Sequence, residues 1–342
     1  MGRRDDQISR SIVVAVRRDD ETQDKRLRFW KPIRTFFALY GLFLIKIRPE
    51  LFKNLREKTW NLSDSEYKTS FQDKNSLVSK ADMGYSGSSF YTTKDNRYLI
   101  KSIPRRFEHS FFRDDLLEPY VSHMESNPKS FLVRITDFVG WRYPSLGGLL
   151  GISPTYHLVM ENLLHGQKED SDWQTFDLKP MSYFFPERDI AGGKLASDAT
   201  KSKLADTFND KVLLSRQDAD EFLTTLEHDT ELLAQHNAVD YSLMLVRIPK
   251  SSPSPADEGQ NPFDDPPSWR TGIPSRDDKW LYRAVVLDFF WAKHKTQART
   301  MTMLVNMWRI FDDQGPMSIT TTAPEYRARF LDMCREIVKV EE

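Results

Sequence analysis

Four charged residues have the types and the order that the handling of a phosphate ester requires. Lys101 ends an apolar run, Glu108 follows it closely, and Asp240 and Asp288 come much later, each at the margin of an apolar run. An ammonium meets phosphate charge, and Glu108 could pair with Lys101 and fix its direction. Of the two aspartates, one could hold Mg²⁺ against phosphates while the other orients an attacking hydroxyl. The set indicates phosphoryl transfer; the alternative is that these aspartates only cap or hydrogen-bond the backbone.

The segment that delivers Lys101 favours the phosphate interpretation. Residues 84–103 read GYSGSSFYTTKDNRYLIKSI, in which a glycine turn opens one strand and a Lys-Asp-Asn turn leads into a second. Gly84 and Gly87 let the backbone approach a ligand closely and turn several N–H groups toward it. A flap of this kind can hold a nucleoside triphosphate beside a lysine. Most glycine hairpins only reverse the chain, so the interpretation depends on the carboxylates that follow.

The composition excludes some function classes. The chain has 342 residues, 39% of them hydrophobic and 12% aromatic, and a net charge of −1. This length allows one large domain or two lobes, and the lack of a basic excess argues against nucleic acid as a partner. The single cysteine, Cys334, has no partner for an intramolecular disulfide, and its helical spacing in FLDMCREIV predicts a core position. We therefore expect a protein of a reducing compartment, the cytoplasm.

The N-terminal region is predicted to be a charged arm followed by helices. Residues 1–35 hold ten Arg or Lys against six Asp or Glu, which predicts a solvated arm, with a membrane-facing patch as the alternative. The apolar run FFALYGLFLI, residues 36–45, is much shorter than the roughly 20 residues of a membrane-spanning helix. It predicts a buried helix instead, and helical spacing continues the prediction to residue 75.

Two lobes follow from the remaining pattern. The segments GSSFYTT, RYLIKSI, SFLVRITDFVGW and TYHLVMENL predict an antiparallel sheet that is crossed by one helix over residues 108–126. Residues 36–162 would form this N-terminal lobe, and residues 163–342 a C-terminal lobe. The second lobe contains a helix capped by Ser215 and the strand-like segments YSLMLVRI and YRAVVLDFF. It also has a polar insert over residues 187–210, a predicted disordered insert over residues 251–274 and an amphipathic C-terminal helix.

Segments along the chain, taken in their order, resemble those of the phosphatidylinositol phosphate kinases. RPELFKNLREKTWNLSDSEY resembles the family's opening helix, GYSGSSFYTTKDNRYLIKSI its glycine loop and lysine strand, and EHSFFRDDLLEPYVSHMESNPKSFLVRITDF its next helix and Asn-Pro turn. LVMEN is similar to the hinge that contacts adenine, TFDLK to an Asp-Leu-Lys motif, and the segment ending in VDYSLML to a capped helix with an Asp-Tyr-Ser motif. VVLDF resembles the metal-aspartate strand, and SITTTAPEYRARFLDMC the terminal helix. The likeness spans residues 40–342.

The resemblance implies a two-lobed, kinase-like α+β fold with antiparallel sheets and packed helices. It implies transfer of the γ-phosphate of ATP, with Mg²⁺, to an inositol ring hydroxyl, most plausibly the 5-position of phosphatidylinositol 4-phosphate. Carried over by position, the resemblance implies that ATP is bound by a phosphate flap of Gly84, Ser86, Gly87 and Ser88, by Lys101, which Glu108 orients, and by a hinge of Met160, Glu161 and Asn162. It implies that Asp240 is the catalytic aspartate, with Asp177 and Lys179 near the transferred phosphate. It also implies that Asp288 binds Mg²⁺.

The segment after Asp288 would meet the lipid. Lys293, Lys295 and Arg299 precede the Met- and Trp-containing stretch MTMLVNMW, so that cations stand beside an apolar surface. Such a segment could bind anionic headgroups at a membrane, which would make the protein peripheral at membranes. The alternative is a core helix with a solvated basic start. A homodimer is a further possibility that the sequence leaves open.

Three departures from the family pattern support a competing hypothesis. Pro180 and Met181 replace the usual Gly-Ser after Asp-Leu-Lys, and Tyr85 stands in the glycine loop where a lysine is common. Proline removes an N–H, and the tyrosine removes a positive charge beside the phosphates. The chain could therefore be a kinase-like scaffold with impaired catalysis that binds phosphoinositide membranes or a protein partner. A protein kinase is disfavoured, because the sequence has no His-Arg-Asp loop and no Asp-Phe-Gly.

Overall fold

The computed structural model describes residues 3–18, 36–80, 88–168, 170–180, 208–250, 267–292 and 321–341. The chain forms two compact units, one made of Met1–Arg106 and Arg134–His165, the other of Phe107–Val133 and Gly166–Glu342. Both combine helices with mostly antiparallel sheets, which confirms the α+β class. Within the described ranges, no helix has the length and hydropathy to cross a membrane.

The first unit is built on a six-stranded antiparallel sheet. Its strands are β1 (Leu44–Lys46), β2 (Leu77–Lys80), β3 (Phe90–Thr93), β4 (Tyr98–Ser102), β5 (Ile135–Trp141) and β6 (Tyr156–Glu161), in the spatial order β1-β5-β6-β4-β3-β2. Its helices are α1 (Arg3–Arg17), α2 (Pro49–Asn54) with a π-helical continuation (Leu55–Thr59), α3 (Asp64–Thr69) and a short helix (Leu146–Leu149). The four predicted strands of this sheet are confirmed as β3, β4, β5 and β6.

The N-terminal segment corrects the prediction of a solvated arm. Residues 3–17 form α1, and Ile8, Ile12, Val13 and Val16 are fully buried on one side of it. This apolar stripe packs against β1, β2 and β5. The arm prediction counted charges, but α1 is amphipathic, and Arg4, Arg10 and Arg17 are exposed on it. Residues 19–35 of the predicted arm lie outside the described ranges.

The apolar run of residues 36–45 is not the predicted buried helix. Its last residues enter β1, which pairs with β5, and Phe37 and Leu39 are 68% and 45% exposed. A short apolar run fits a strand as well as a helix, and here pairing with β5 decides the outcome. Helices α2 and α3 account for the later part of the predicted helical region. Strand β2 was not predicted, because its four residues carry little periodicity.

A buried charge network holds α2 and α3 to the sheet of the first unit. The Arg56 guanidinium is 2% exposed and donates to the Thr136 carbonyl and to Asp64 Oδ1, each at 2.5 Å. It lies 3.6 Å from Asp137 Oδ1, and the Tyr67 hydroxyl donates to the other oxygen of Asp137 at 3.0 Å. Burial raises the pKa of the Asp137 carboxyl although Arg56 is beside it. The network therefore joins two helices to β5 through groups that need one another.

The second unit contains three small sheets and, among the described residues, the longest helix, of 20 residues. Its strands are β7 (Gln174–Leu178), β8 (Val212–Leu214), β9 (Ala238–Val239), β10 (Ser242–Pro249), β11 (Ile273–Pro274), β12 (Trp280–Leu287), β13 (Trp291–Ala292) and β14 (Val338–Val340). They pair in the order β11-β12-β10-β7, with separate β13-β9 and β14-β8 pairs. Its helices are α4 (Arg106–Phe111), a π-helical turn (Phe112–Leu116), α5 (Leu117–Ser126), α6 (Arg216–Gln235) and α7 (Ala323–Ile337).

Several predictions for this unit are confirmed. The helix predicted over residues 108–126 is confirmed as α4, the π-helical turn and α5. The sequence placed it in the N-terminal lobe, whereas the structure groups it with the second unit, in which Tyr120 stacks on Phe289 and Phe131 N donates to Asp229 at 2.5 Å. The Asp218 N–H donates to Ser215 Oγ, so the predicted cap of α6 is present. Cys334 is buried in α7, as predicted, and burial raises the pKa of its thiol.

The predicted disordered insert ends earlier than expected. Trp269 and Arg270 are buried, and Ile273 pairs with Tyr282 in the sheet, so residues 267–274 are ordered. The proline and serine content of the segment predicted disorder, but Trp269 packs in the core, where its ring contacts Phe222. Residues 251–266 of that insert, and all but the last three residues of the insert over 187–210, lie outside the described ranges.

The Arg56 network gives a stability prediction for the first unit. We expect Arg56→Gln to lower the free energy of unfolding by about 3–5 kcal/mol, because it leaves the Asp137 carboxylate buried without its cation. Urea unfolding monitored by circular dichroism measures the change. Arg97→Gln is the control: Arg97 forms a part-exposed pair with Glu66, and its loss should cost no more than about 1 kcal/mol. Equal effects of the two substitutions would contradict the assignment.

Candidate active site

Asp240 and Asp288 occupy matching positions at the junction of two strand ladders. Asp240 lies between β9 and β10, and Asp288 between β12 and β13. Strand β10 pairs with β12, and β9 pairs with β13. The pairs Ser242–Leu287 and Val239–Trp291 therefore bracket the two aspartates on both sides. The order of the sequence did not show that the same two ladders enclose both aspartates.

Both aspartates have left-handed backbone conformations. The φ angle is 67° at Asp240 and 62° at Asp288. A residue with a Cβ rarely adopts this conformation, although Asp and Asn tolerate it better than most. Such residues persist where the surrounding structure fixes them, and they are common at functional sites. The two ladders provide that fixation here.

Asp177 and Lys179 bring further charges to the same end of the sheet. Strand β7 pairs with β10, with Asp177 opposite Met244, and Lys179 follows directly after β7. The Lys179 ammonium lies 3.2 Å from Asp240 Oδ1, with the two side chains 14% and 27% exposed. Burial alone would lower the pKa of Lys179, but the charges of Asp240, Asp177 and Asp288 outweigh it and raise that pKa to about 12.

The structure thus brings four predicted site residues of the second unit into one cluster. One ammonium stands among three carboxylates, and it is fully charged at neutral pH. The donor chemistry also suits a hard cation. Within the described ranges, no group of three or more Asp, Glu, His or Cys side chains is arranged to hold a metal. Mg²⁺ does not need one, since it typically takes one or two carboxylates and completes its shell with phosphates and water.

Lys101 and Ser88 are positioned by the sheet of the first unit. Lys101 lies in β4, opposite Phe90 on one side and Leu158 on the other, and is 8% exposed. Its ammonium is 5.6 Å from the centre of the Phe90 ring. The β3–β4 ladder continues beyond the strands, because Ser89 N donates to Ser102 Oγ at 2.6 Å and Ser102 N donates back to the Ser89 carbonyl. Buried Ser88 precedes this pair.

Two of the predicted hinge residues, Glu161 and Asn162, form side-chain hydrogen bonds within the first unit. Glu161 Oε1 accepts from the Arg134 N–H at 2.8 Å. The Asn162 amide donates to the Asn96 carbonyl at 2.8 Å and to Asn96 Oδ1 at 2.9 Å, and its Oδ1 accepts from Leu164 N. Met160 is 2% exposed. Asn162 therefore ties the end of β6 to the turn between β3 and β4, and its side chain is engaged within the first unit. Adenine binding at these residues stays a prediction.

The described part of the structure does not show the other predicted site residues meeting one another. Glu108 lies in α4 of the second unit, whereas Lys101 belongs to the first, and their pairing stays a prediction. Gly84, Tyr85, Ser86 and Gly87 lie outside the described ranges, as do Met181, Lys293, Lys295 and Arg299.

Comparison with known proteins identifies the family of this chain. A family model described as phosphatidylinositol-4-phosphate 5-kinase matches residues 71–266, more than half of the chain. The chain belongs to the phosphatidylinositol phosphate kinase family. The matched residues include Lys101, Asp177, Lys179 and Asp240, whereas Asp288 follows the matched region.

Individual relatives in this kinase family are distant and differ in name. The chain is 28% identical over 216 residues to the phosphatidylinositol 4-phosphate 5-kinase its3 of Schizosaccharomyces pombe, covering 61% of this chain and 26% of that protein. It is 26% identical over 205 residues to the rat phosphatidylinositol 5-phosphate 4-kinase type-2 beta, covering 58% of this chain and 44% of the relative. It is 28% identical over 215 residues to the mouse 1-phosphatidylinositol 3-phosphate 5-kinase, with 57% and 9% covered. The matched region is about a quarter of the yeast relative's length.

The charge cluster of this family member gives a prediction that does not depend on turnover. We expect Asp240→Asn to lower the pKa of Lys179 and so to speed its acetylation by N-hydroxysuccinimidyl acetate at about pH 9, because only the neutral amine reacts. Peptide mass spectrometry with time points gives the rate. Asn tolerates the left-handed backbone, so the fold should be kept.

Asp278→Asn is the matched control for this experiment. Asp278 also has a left-handed backbone, with φ 61°, but it is exposed and pairs with Lys250. The control should leave the Lys179 rate unchanged. An unchanged Lys179 rate in Asp240→Asn would contradict the cluster.

Proposed function

We propose that the protein is a two-lobed lipid kinase that transfers the γ-phosphate of ATP to an inositol ring hydroxyl of a phosphatidylinositol monophosphate. The observation that carries this proposal is the cluster of Lys179 with Asp240, Asp177 and Asp288 at one end of a sheet. Family membership supports ATP as the phosphate donor. The cluster supplies a base, a cation and a metal-binding carboxylate, which are the groups that phosphoryl transfer uses.

Asp240 is assigned to the attacking hydroxyl. Its carboxylate would accept a hydrogen bond from the inositol hydroxyl and take its proton as the hydroxyl oxygen bonds to the γ-phosphorus. The bond from that phosphorus to the β–γ bridging oxygen would break in the same transfer, and ADP would leave. The left-handed backbone, held between two ladders, fixes the direction of that carboxylate. Lys179, whose ammonium lies 3.2 Å from Asp240 Oδ1, would place positive charge beside the transferred phosphoryl group. Asp177 adds a second carboxylate that helps to keep Lys179 charged.

Phosphate binding is assigned to Lys101 and metal binding to Asp288. Lys101 would contact ATP phosphates from β4, with Ser88, Gly84, Ser86 and Gly87 contributing backbone N–H groups from the flap. Asp288 would hold Mg²⁺, whose bound charge neutralises the phosphates in reactions of this kind. Asp177 is the available second carboxylate. Because the pKa of Lys179 is raised, its ion pair with Asp240 stays intact below about pH 10.5 and is lost as pH rises through about 12.

The ring position follows from the comparisons as a proposal. The family model and the yeast relative carry the name phosphatidylinositol 4-phosphate 5-kinase, so phosphatidylinositol 4-phosphate is the proposed substrate and the 5-hydroxyl its acceptor. The rat and mouse relatives carry other positions in their names. Lys293, Lys295 and Arg299 are proposed to meet anionic headgroups, which would place the protein at membrane surfaces.

The first test of the function is a lipid kinase assay. Protein is incubated with labelled ATP, Mg²⁺ and vesicles that contain the 3-, 4- or 5-monophosphate in separate arms, and the product is identified by chromatography. We expect label in phosphatidylinositol 4,5-bisphosphate from the 4-phosphate arm. Transfer in another arm alone would change the substrate assignment, and no transfer in any arm would overturn the enzyme proposal.

Asp288→Asn tests the metal role. We expect turnover to fall by about 100-fold or more, since changes even in the outer shell of metal sites cost 10- to 100-fold. Stability should change little, because Asn keeps the shape and tolerates the left-handed backbone. Asp278→Asn, with the same backbone conformation and no place in the cluster, is the control for both quantities. Normal turnover of Asp288→Asn at all Mg²⁺ concentrations would rule out the role.

Pro180 favours a second candidate, a scaffold with impaired catalysis. It is buried directly after Lys179 and offers no N–H to a phosphate that approaches the cluster. The candidates differ in ATP binding. A kinase should show a higher melting temperature with MgATP, because a ligand that binds only the native state stabilises it by RT ln(1 + [L]/Kd). Vesicle binding without this shift would favour the scaffold.

A further inference from the structure

The C-terminal helix contacts the backbone of the Asp240 loop directly. The Tyr326 hydroxyl, in α7, donates to the carbonyl oxygen of Tyr241 at 2.5 Å. Both tyrosines are fully buried. Tyr241 follows Asp240, so this hydrogen bond acts on the residue next to the proposed catalytic base.

That carbonyl lies at a point where the chain needs support. Val239 pairs with Trp291 before the loop, and Ser242 pairs with Leu287 after it. Between these pairs, Asp240 turns the chain through a left-handed conformation that is costly for a residue with a Cβ. The Tyr326 bond holds the residue between the two ladders. Rotation of the Tyr241 backbone would change the direction of the Asp240 carboxylate relative to Lys179.

Helix α7 is itself fixed against the helix that leads to Asp240. The Tyr326 and Phe330 rings meet the Tyr241 ring edge-on, at 4.7 and 4.9 Å between centres. Arg327 donates to the Glu227 carbonyl at 3.0 Å and to the Thr230 hydroxyl at 3.3 Å, which joins α7 to α6. The hydroxyl of Tyr326 is therefore presented from a rigid support.

We propose that Tyr326 is a positioning residue for phosphoryl transfer, acting through the Tyr241 carbonyl to direct the Asp240 carboxylate toward Lys179. This inference rests on the proposed function. In this assignment the effect of Tyr326 passes through the backbone, by way of its hydrogen bond to the Tyr241 carbonyl. The competing view is that Tyr326 only fills the core between α7 and the loop, in which case its ring would matter and its hydroxyl would not.

Tyr326→Phe separates these views, because it keeps the ring contacts and removes the hydroxyl. We expect the lipid kinase kcat to fall about tenfold, within the roughly 10²-fold that a 1 Å misplacement can cost, with the KM for ATP unchanged. We also expect faster acetylation of Lys179, by at least about threefold at pH 9, because a misdirected Asp240 lowers the pKa of that ammonium.

Cys334→Ala is the control for lost stability. Cys334 is buried in the same helix, two turns beyond Tyr326, and removal of its sulfur should lower the melting temperature. We expect kcat and the Lys179 rate to stay at wild-type values in this variant. Wild-type kcat and labelling in Tyr326→Phe, or equal losses in both variants, would overturn the proposal.

The labelling arm distinguishes failure of this inference from failure of the proposed function. If the wild-type protein transfers phosphate to no lipid, the kinase assignment fails. The Lys179 rate then still reports the direction of Asp240. A faster rate in Tyr326→Phe alone would support the positioning role of Tyr326, and an unchanged rate would overturn it.

Discussion

The candidate site depends on one electrostatic constraint: three carboxylates can share one end of a small sheet only if a cation stays among them. Lys179 supplies that cation, 3.2 Å from Asp240 Oδ1, in a largely buried position. Removing an ammonium from water is costly, yet the surrounding carboxylates outweigh this cost and raise the pKa of Lys179 to about 12. Relative to its ordinary value, the shift corresponds to about 2 kcal/mol in favour of the charged form. The same charge is available to a phosphoryl group.

The backbone around the cluster is as constrained as the charges. Two antiparallel ladders meet at Asp240 and Asp288, and both residues turn the chain through the left-handed region. This geometry lets two strands pass from one sheet to another while their carboxylates stay at the same junction. Strand β7, paired in register with β10, adds Asp177 and Lys179 beside them. A shift of one residue in this pairing would send both side chains to the other face.

In the first unit, buried charged and polar groups stabilise the six-stranded sheet. Arg56 and Asp137 are almost completely buried and stay together through Asp64, Thr136 and Tyr67. In the same sheet, Asn162 links the end of β6 to the β3–β4 turn. Both sets rigidify the sheet that carries Lys101. Such a sheet limits the directions open to the Lys101 side chain, which suits its proposed role in phosphate binding.

The sequence by itself determined the element types where its periodicity was strong. The strands around Lys101 and Leu158, the capped helix beginning at Ser215 and the C-terminal helix around Cys334 all follow local patterns. The family also follows from residue types and their order, and the same pattern is the source of the proposed roles of Lys101, Asp240 and Asp288. Local patterns failed where charge or short length hid an apolar face, as in α1 and in β1.

Only the tertiary structure decided which of these residues meet. The approach of Lys179 to Asp240 and the bracketing of both aspartates depend on strand pairings between residues far apart in the chain. The Tyr326 bond to Tyr241 spans 85 positions and has no local signal in the sequence. Left-handed backbone at an aspartate is likewise imposed by its surroundings, because propensity alone disfavours it. Residue types set what chemistry the chain can do, and long-range pairing places those groups within reach of one another.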